Sequence, residues 1–159
     1  MILRLCEQET LADDASATIM PEMEVLAHGI DMVDCARLAE MLDRHGERFL
    51  NRVITARELS YCLGKKRSLE HLAGRFAAKE AVMKVLGTGW SGGISWTDIE
   101  IYNNSAGQPG VRLTGRCRQV AGELGMKKIL ITISHIQTHA IASAIGLACQ
   151  GEQTDGEQG

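Results

Sequence analysis

A chain of 159 residues is long enough for one domain with a substantial core; 45% of its residues are apolar and only 4% aromatic, so that core has to be built from Leu, Ile, Val, Ala and Met. A formal net charge of -3 excludes a general nucleic-acid surface and makes any cationic site a local one. Five scattered cysteines (Cys6, Cys35, Cys62, Cys117, Cys149) with no CxxC pair argue against a disulfide framework or zinc site and for a reducing, cytoplasmic setting, and no apolar run is long enough to cross a membrane.

Residues 1–23 are polar and acidic, with Asp13, Asp14 and Pro21. They lack the basic and apolar regions of a signal peptide and read as a flexible extension, with alternative starts at Met20 or Met23. "VLAHGIDMV" (Val25–Val33) reads as a strand buried on both faces, carrying a single acid, Asp31. In the following helix Leu38, Met41 and Leu42 hold helical spacing. Gly46 ends or kinks it, and Phe49, Leu50 and Val53 begin a second apolar face. Thr55, three residues before Glu58, is the signature of a capping box and predicts a short helix ending near Gly64. A longer helix is expected over 68–86 with Ser68 as its N-cap. Leu69, Leu72, Phe76 and Met83 give it an apolar stripe, and Gly74, Ala77, Ala78 and Ala81 a face that another backbone can approach. Gly87 is a natural stop.

The pattern then turns to strands. "SWTDIEIYNN" places Trp96, Ile99 and Ile101 in alternation, Ser105–Gly110 is a turn, and "VRLTG" returns as the second arm of a hairpin. Arg116–Gly125 predicts a helix. "KILITISH" and "HAIASAIGLA" predict two strands joined by Ile136–Thr138. Residues 149–159 are rich in Gly, Gln and Glu and read as a disordered tail, leaving a folded body over 24–148. Helices first and strands later define an α+β class, a mainly antiparallel sheet packed against a long helix.

Several residues suggest chemistry. Glu80 and Lys84 are four apart and share a helix face, about 6 Å apart along the axis. Such pairs are commonly solvated ion pairs. Here they stand among Ala77, Ala78, Ala81 and Val85, and the segment ends in Gly87-Thr88-Gly89, whose amides and hydroxyl suit phosphate oxygens. Gly87 as a plain helix cap is the simpler alternative. Asp31 sits inside an apolar strand, where a carboxylate costs several kcal/mol unless paired or metal-bound. It would serve as a helix cap, but Asp34 competes for that position. Asp31 and Glu80 together suit magnesium, which uses one or two carboxylates plus phosphates and waters. His135 closes an apolar strand as a satisfied histidine or a phosphate donor. Arg75 is a surface residue or a phosphate clamp. Arg37 and Arg44, seven apart, form a solvated face or a ridge for an acidic protein.

Taken together, "GIDMVDCAR", "FLNRVITARE", "LAGRFAAKEAVMKVLGTG", "ISWTDIEIYNNSAGQP" and "ITISH" closely resemble the bacterial holo-[acyl-carrier-protein] synthase family, the short 4′-phosphopantetheinyl transferases. The similarity covers about residues 24–147. It implies that fold in a homotrimer with active sites between subunits. It also implies magnesium-dependent transfer of phosphopantetheine from coenzyme A to a serine of apo acyl carrier protein, for fatty acid biosynthesis, with release of adenosine 3′,5′-bisphosphate. By matching position, Asp31 and Glu80 look like the metal ligands and Lys84 like the residue on the phosphates. Arg75, Gly87, Thr88, Gly89 and His135 match the coenzyme A site, and Arg37 and Arg44 the helix that meets the carrier. Glu80, Asp31 or a metal-held water could take the serine proton. The alternative is a non-catalytic coenzyme A or nucleotide-binding module, which would keep the glycines and basic residues without needing both acids.

Overall fold

The computed structural model describes residues 23–87, 89 and 93–149; the expectations for the extension before Met23, for Thr88 and for the tail from residue 150 lie outside them. In chain order the elements are β1 (Met23–Asp34), α1 (Cys35–Val53), α2 (Ala56–Leu63), α3 (Ser68–Leu86), β2 (Ile99–Asn103), β3 (Pro109–Leu113), α4 (Gly115–Glu123), β4 (Lys128–His135) and β5 (His139–Cys149). A 3-10 turn at Trp96–Asp98 leads into β2. β1, β5 and β4 form an antiparallel sheet in that order, and β2 and β3 form the expected hairpin.

Local signals set the element ends. The Asp34 carboxylate accepts from the amides of Ala36 and Arg37 at 2.7 and 3.1 Å. It therefore caps α1 and leaves Asp31 for other work. Gly46 adopts φ 45°, ψ -130° and kinks α1 rather than ending it. Thr55 and Glu58 make the capping box of α2. Ser68 is not the cap of α3: it is the first helical residue, and Arg67 precedes it without a side-chain capping bond. Gly87 closes α3 in the left-handed conformation at φ 69°, as a C-terminal glycine does.

α3 lies across one face of the three-stranded sheet. Its small residues Ala73, Ala77, Ala78 and Ala81 are buried, as are Ala140, Ala142, Ala144 and Gly146 of β5, the strand on which α3 packs. With so few large side chains between them, helix and sheet approach closely. The tightest point is Gly29: a Cβ there would run into the Ala81 carbonyl oxygen and lie 3.0 Å from the Lys84 Cβ. Gly29→Ala must push α3 off the sheet, at a cost of about 1–3 kcal/mol or more. A urea midpoint unchanged from the parent would contradict this packing.

The other face of the sheet corrects the expectation that β1 is buried on both sides. Among the described residues nothing covers Ile30 and Met32, 51% and 64% exposed, or Leu130 and Ile141 beside them on β4 and β5. β1 is an edge strand with a helix on one side only, so its near-continuous apolar run exceeds what one chain can bury.

A buried ion pair ties the helices to the hairpin. Lys79 of α3 and Glu58 of α2 are both fully buried, with Nζ 2.8 Å from Oε2. Lys79 also donates to the Trp96 carbonyl at 3.0 Å. The Glu58 carboxylate accepts from the amides of Thr55 (2.7 Å) and Ile101 (2.8 Å). Burial pushes the Lys79 ammonium below its ordinary value, and Glu58 opposes that push.

Candidate active site

Asp31, Glu80 and Lys84 meet where α3 crosses β1. The Lys84 ammonium donates to Asp31 Oδ1 at 2.8 Å and to the Ile30 carbonyl at 2.6 Å, so its direct ion-pair partner is Asp31 rather than Glu80 one turn away. The bare backbone of Gly29 lets β1 come this close. Glu80 is half-buried. Burial, then the charge of Asp31, raises its carboxyl above the ordinary range, and Lys84 only partly opposes them.

This donor set fits a hard divalent cation. Two carboxylates from separate elements repel one another beside a single ammonium, a conflict that a cation between them removes. Among the described residues no group of three or more His, Cys, Asp or Glu could close a full protein cage. Magnesium needs no such cage, since it binds through one or two carboxylates and completes its shell with phosphates and water. Gly87 and Gly89 follow at φ 69° and 52°, and a Cβ at either would meet nothing within 4 Å. Backbone conformation rather than crowding selects glycine here, and the surrounding space is open. Thr88 lies between them, outside the described residues.

Arg75 and His135 belong to a second cluster, nearer the start of α3. Arg75 is 4% exposed, so it is not the plain surface residue that was one of the two readings its sequence context offered. Its guanidinium sits 4.5 Å over the Tyr61 ring and bonds the Asn103 side chain. Its Nε is buried with no hydrogen-bond partner among the described residues. His135 Nδ1 is 3.1 Å from Glu70 Oε2, and its ring packs edge-on against His71 at 4.8 Å. Tyr61, His71, Arg75, Asn103 and His135 line one cavity of about 140 Å³. The larger cavity, about 840 Å³ between the hairpin, α4 and β4, carries no carboxylate and includes neither cluster's central residues.

Arg37 and Arg44 project from the exposed side of α1. Arg44 pairs with Glu40 at 3.2 Å, both side chains largely in solvent. Sequence reasoning missed Tyr61, His71 and Asn103, and the buried pair of Lys79 with Glu58. Each stands in a segment whose periodicity accounts for it as ordinary helix or strand.

The model of the 4′-phosphopantetheinyl transferase superfamily matches residues 27–144. A holo-[acyl-carrier-protein] synthase of Moorella thermoacetica is 48% identical over 123 residues, 77% of this chain and 93% of the relative. The crystal structure of the synthase from Neisseria meningitidis superposes with a TM-score of 0.72 at 27% identity, over 77% of this chain and 98% of that one. A Bacillus anthracis synthase solved with CoA (3′,5′-ADP) gives 0.64 at 32% identity, over 80% and 99%. The chain belongs to the 4′-phosphopantetheinyl transferase superfamily.

Proposed function

We propose that this chain is a holo-[acyl-carrier-protein] synthase, moving the 4′-phosphopantetheine arm of coenzyme A onto a serine of apo acyl carrier protein in the cytoplasm, in support of fatty acid biosynthesis. The observation that carries this reading is the meeting of Asp31 and Glu80 beside Lys84 at the crossing of β1 and α3. Asp31 and Glu80 would hold magnesium, and the ion would supply charge neutralisation for the diphosphate. Lys84 leaves Asp31 for a phosphate oxygen and offsets the charge that builds on the leaving side. The serine oxygen bonds to the β-phosphorus as the bond from that phosphorus to the bridging oxygen breaks, and adenosine 3′,5′-bisphosphate departs. The serine proton passes to a nearby base. Positioning and charge compensation account for most of the acceleration in such transfers. Gly87, Thr88 and Gly89 line the path of the diphosphate, and Arg75 and His135 line the rest of the coenzyme A site.

Two features support a homotrimer with active sites between subunits. The apolar outer face at Ile30, Met32, Leu130 and Ile141 is an exposed patch of the kind that copies of a chain cover. The two clusters along α3 are also suited to serve one coenzyme A jointly from neighbouring copies. Residues 24–148 form the transferase domain, and Met23 and Cys149, paired at the ends of β1 and β5, continue its sheet by one residue on each strand.

Incubation with apo carrier protein, coenzyme A and magnesium, followed by intact-mass measurement of the carrier, tests the reaction. A carrier that gains the phosphopantetheine mass supports it, and an unchanged mass overturns it. The carrier meets the exposed arginines of α1. Arg37→Glu is therefore expected to raise KM for the carrier roughly tenfold, a rim-charge effect, with KM for coenzyme A little changed. Equal changes in both constants would remove Arg37 from the carrier surface.

A further inference from the structure

His71 belongs to no part of the mechanism above, yet it shares a cavity with Arg75, a cation with a buried N–H left unpaired among the described residues. Its ring packs against His135 at 4.8 Å and against Tyr61 at 5.9 Å. Arg75 lines the same cavity with its Nε buried and unpartnered among the described residues. A guanidinium N–H without an acceptor in a buried pocket calls for an anion. The charged groups around His71 come from three places: Lys65 in the link after α2, Glu70 and Arg75 on α3, and His135 on β4. Glu70 is already engaged by His135 and by Arg67, at 3.1 and 3.6 Å.

Coenzyme A carries two kinds of phosphate. The proposed function assigns its diphosphate to the site of Asp31, Glu80 and Lys84, which leaves the phosphomonoester on its ribose for a separate cationic pocket. That group is a dianion at neutral pH, with a second ionisation near 6. We infer that His71 is a proton-coupled part of this pocket: it takes up a proton from solvent as the phosphomonoester enters, so coenzyme A binds more tightly as pH falls from about 8.5 to about 6.5. The inference rests on the reading of the chain as a coenzyme A-dependent transferase.

The geometry sets the sign. Burial, then the positive charges of His135, Lys65 and Arg75, hold the His71 imidazole below its ordinary value, and Glu70 only partly opposes them. The imidazole is therefore neutral before the anion arrives. A dianion next to it favours the charged form. Between the two protonation midpoints each bound proton steepens the dependence of Kd on pH, up to about tenfold per pH unit. Once the imidazole is charged in both states the dependence disappears.

Calorimetry of the full chain with coenzyme A and magnesium, in two buffers of different ionisation enthalpy at about pH 7.5, reads the proton directly. The expected uptake is roughly 0.3 to 1 proton per coenzyme A. It should vanish with dephospho-coenzyme A on the same protein, and largely vanish in His71→Phe and His71→Asn. The two variants and the unmutated control together keep the test decisive if one variant misfolds. Coenzyme A binding with no uptake, or with uptake unchanged in a folded His71 variant or with dephospho-coenzyme A, overturns the role of His71 and leaves the transferase standing. Coenzyme A that does not bind at all overturns both.

Discussion

Glu80→Gln is expected to lower kcat/KM for phosphopantetheine transfer by roughly 10²- to 10³-fold, the several kcal/mol that a metal-centred charge supplies, while the folded protein becomes no less stable in metal-free buffer. The two halves of this expectation have one cause. Burial and the neighbouring Asp31 raise the Glu80 carboxyl above its ordinary value. The folded state therefore favours the protonated form. The stability this group contributes is present in full below the unfolded-state value and is lost as pH rises through the higher folded-state value. At neutral pH the ionised side chain opposes folding, and a neutral amide of the same shape removes that opposition. Melting temperature at pH 7 should hold or rise by a few degrees, and the gain should shrink as the pH falls. Asp31→Asn should lose activity to a similar extent but also frees the ammonium that donates to Asp31, so no gain in melting temperature is expected. Wild-type turnover in either variant would remove that residue from the metal site.

Lys79→Met is expected to cost about 3–5 kcal/mol of folding stability, the range for stranding one member of a buried pair. Both side chains are fully buried, so no water can compensate. Without the ammonium, the Glu58 carboxylate keeps the amides of Thr55 and Ile101 but loses its counter-charge, and the Trp96 carbonyl loses its donor. Adding Glu58→Gln should recover part of the loss, because the amide oxygen still accepts a backbone N–H without a buried charge. Urea unfolding of the two single variants and the double variant measures this. Additive losses would show that the pair is not coupled.

The outline of the fold was legible because local rules and tertiary packing agree in most segments. The capping box at Thr55 and Glu58, the left-handed stop at Gly87 and the turn between β2 and β3 follow from single residues. The open face of β1 is not legible in the sequence, because an apolar run does not say whether its second face meets this chain or another. The carboxylate site could be approached from sequence because Asp31 is an acid in an apolar strand and Glu80 lies among alanines. The buried pair could not, because Lys79 and Glu58 each satisfy a local helical pattern and only the fold brings them together. For the same reason Arg75 and His135 could be named but not their setting. The ring of His71, the stack on Tyr61 and the bond to Asn103 come from segments far apart in the chain.

A crystal structure of the protein with coenzyme A and magnesium tests the account most directly. The account predicts one metal ion with an oxygen of Asp31 and an oxygen of Glu80 both at about 2.0–2.1 Å, the diphosphate on the same ion, and the Lys84 ammonium moved from Asp31 to a phosphate oxygen. A diphosphate bound elsewhere, with Lys84 still donating to Asp31 and no ion shared with Glu80, would contradict it.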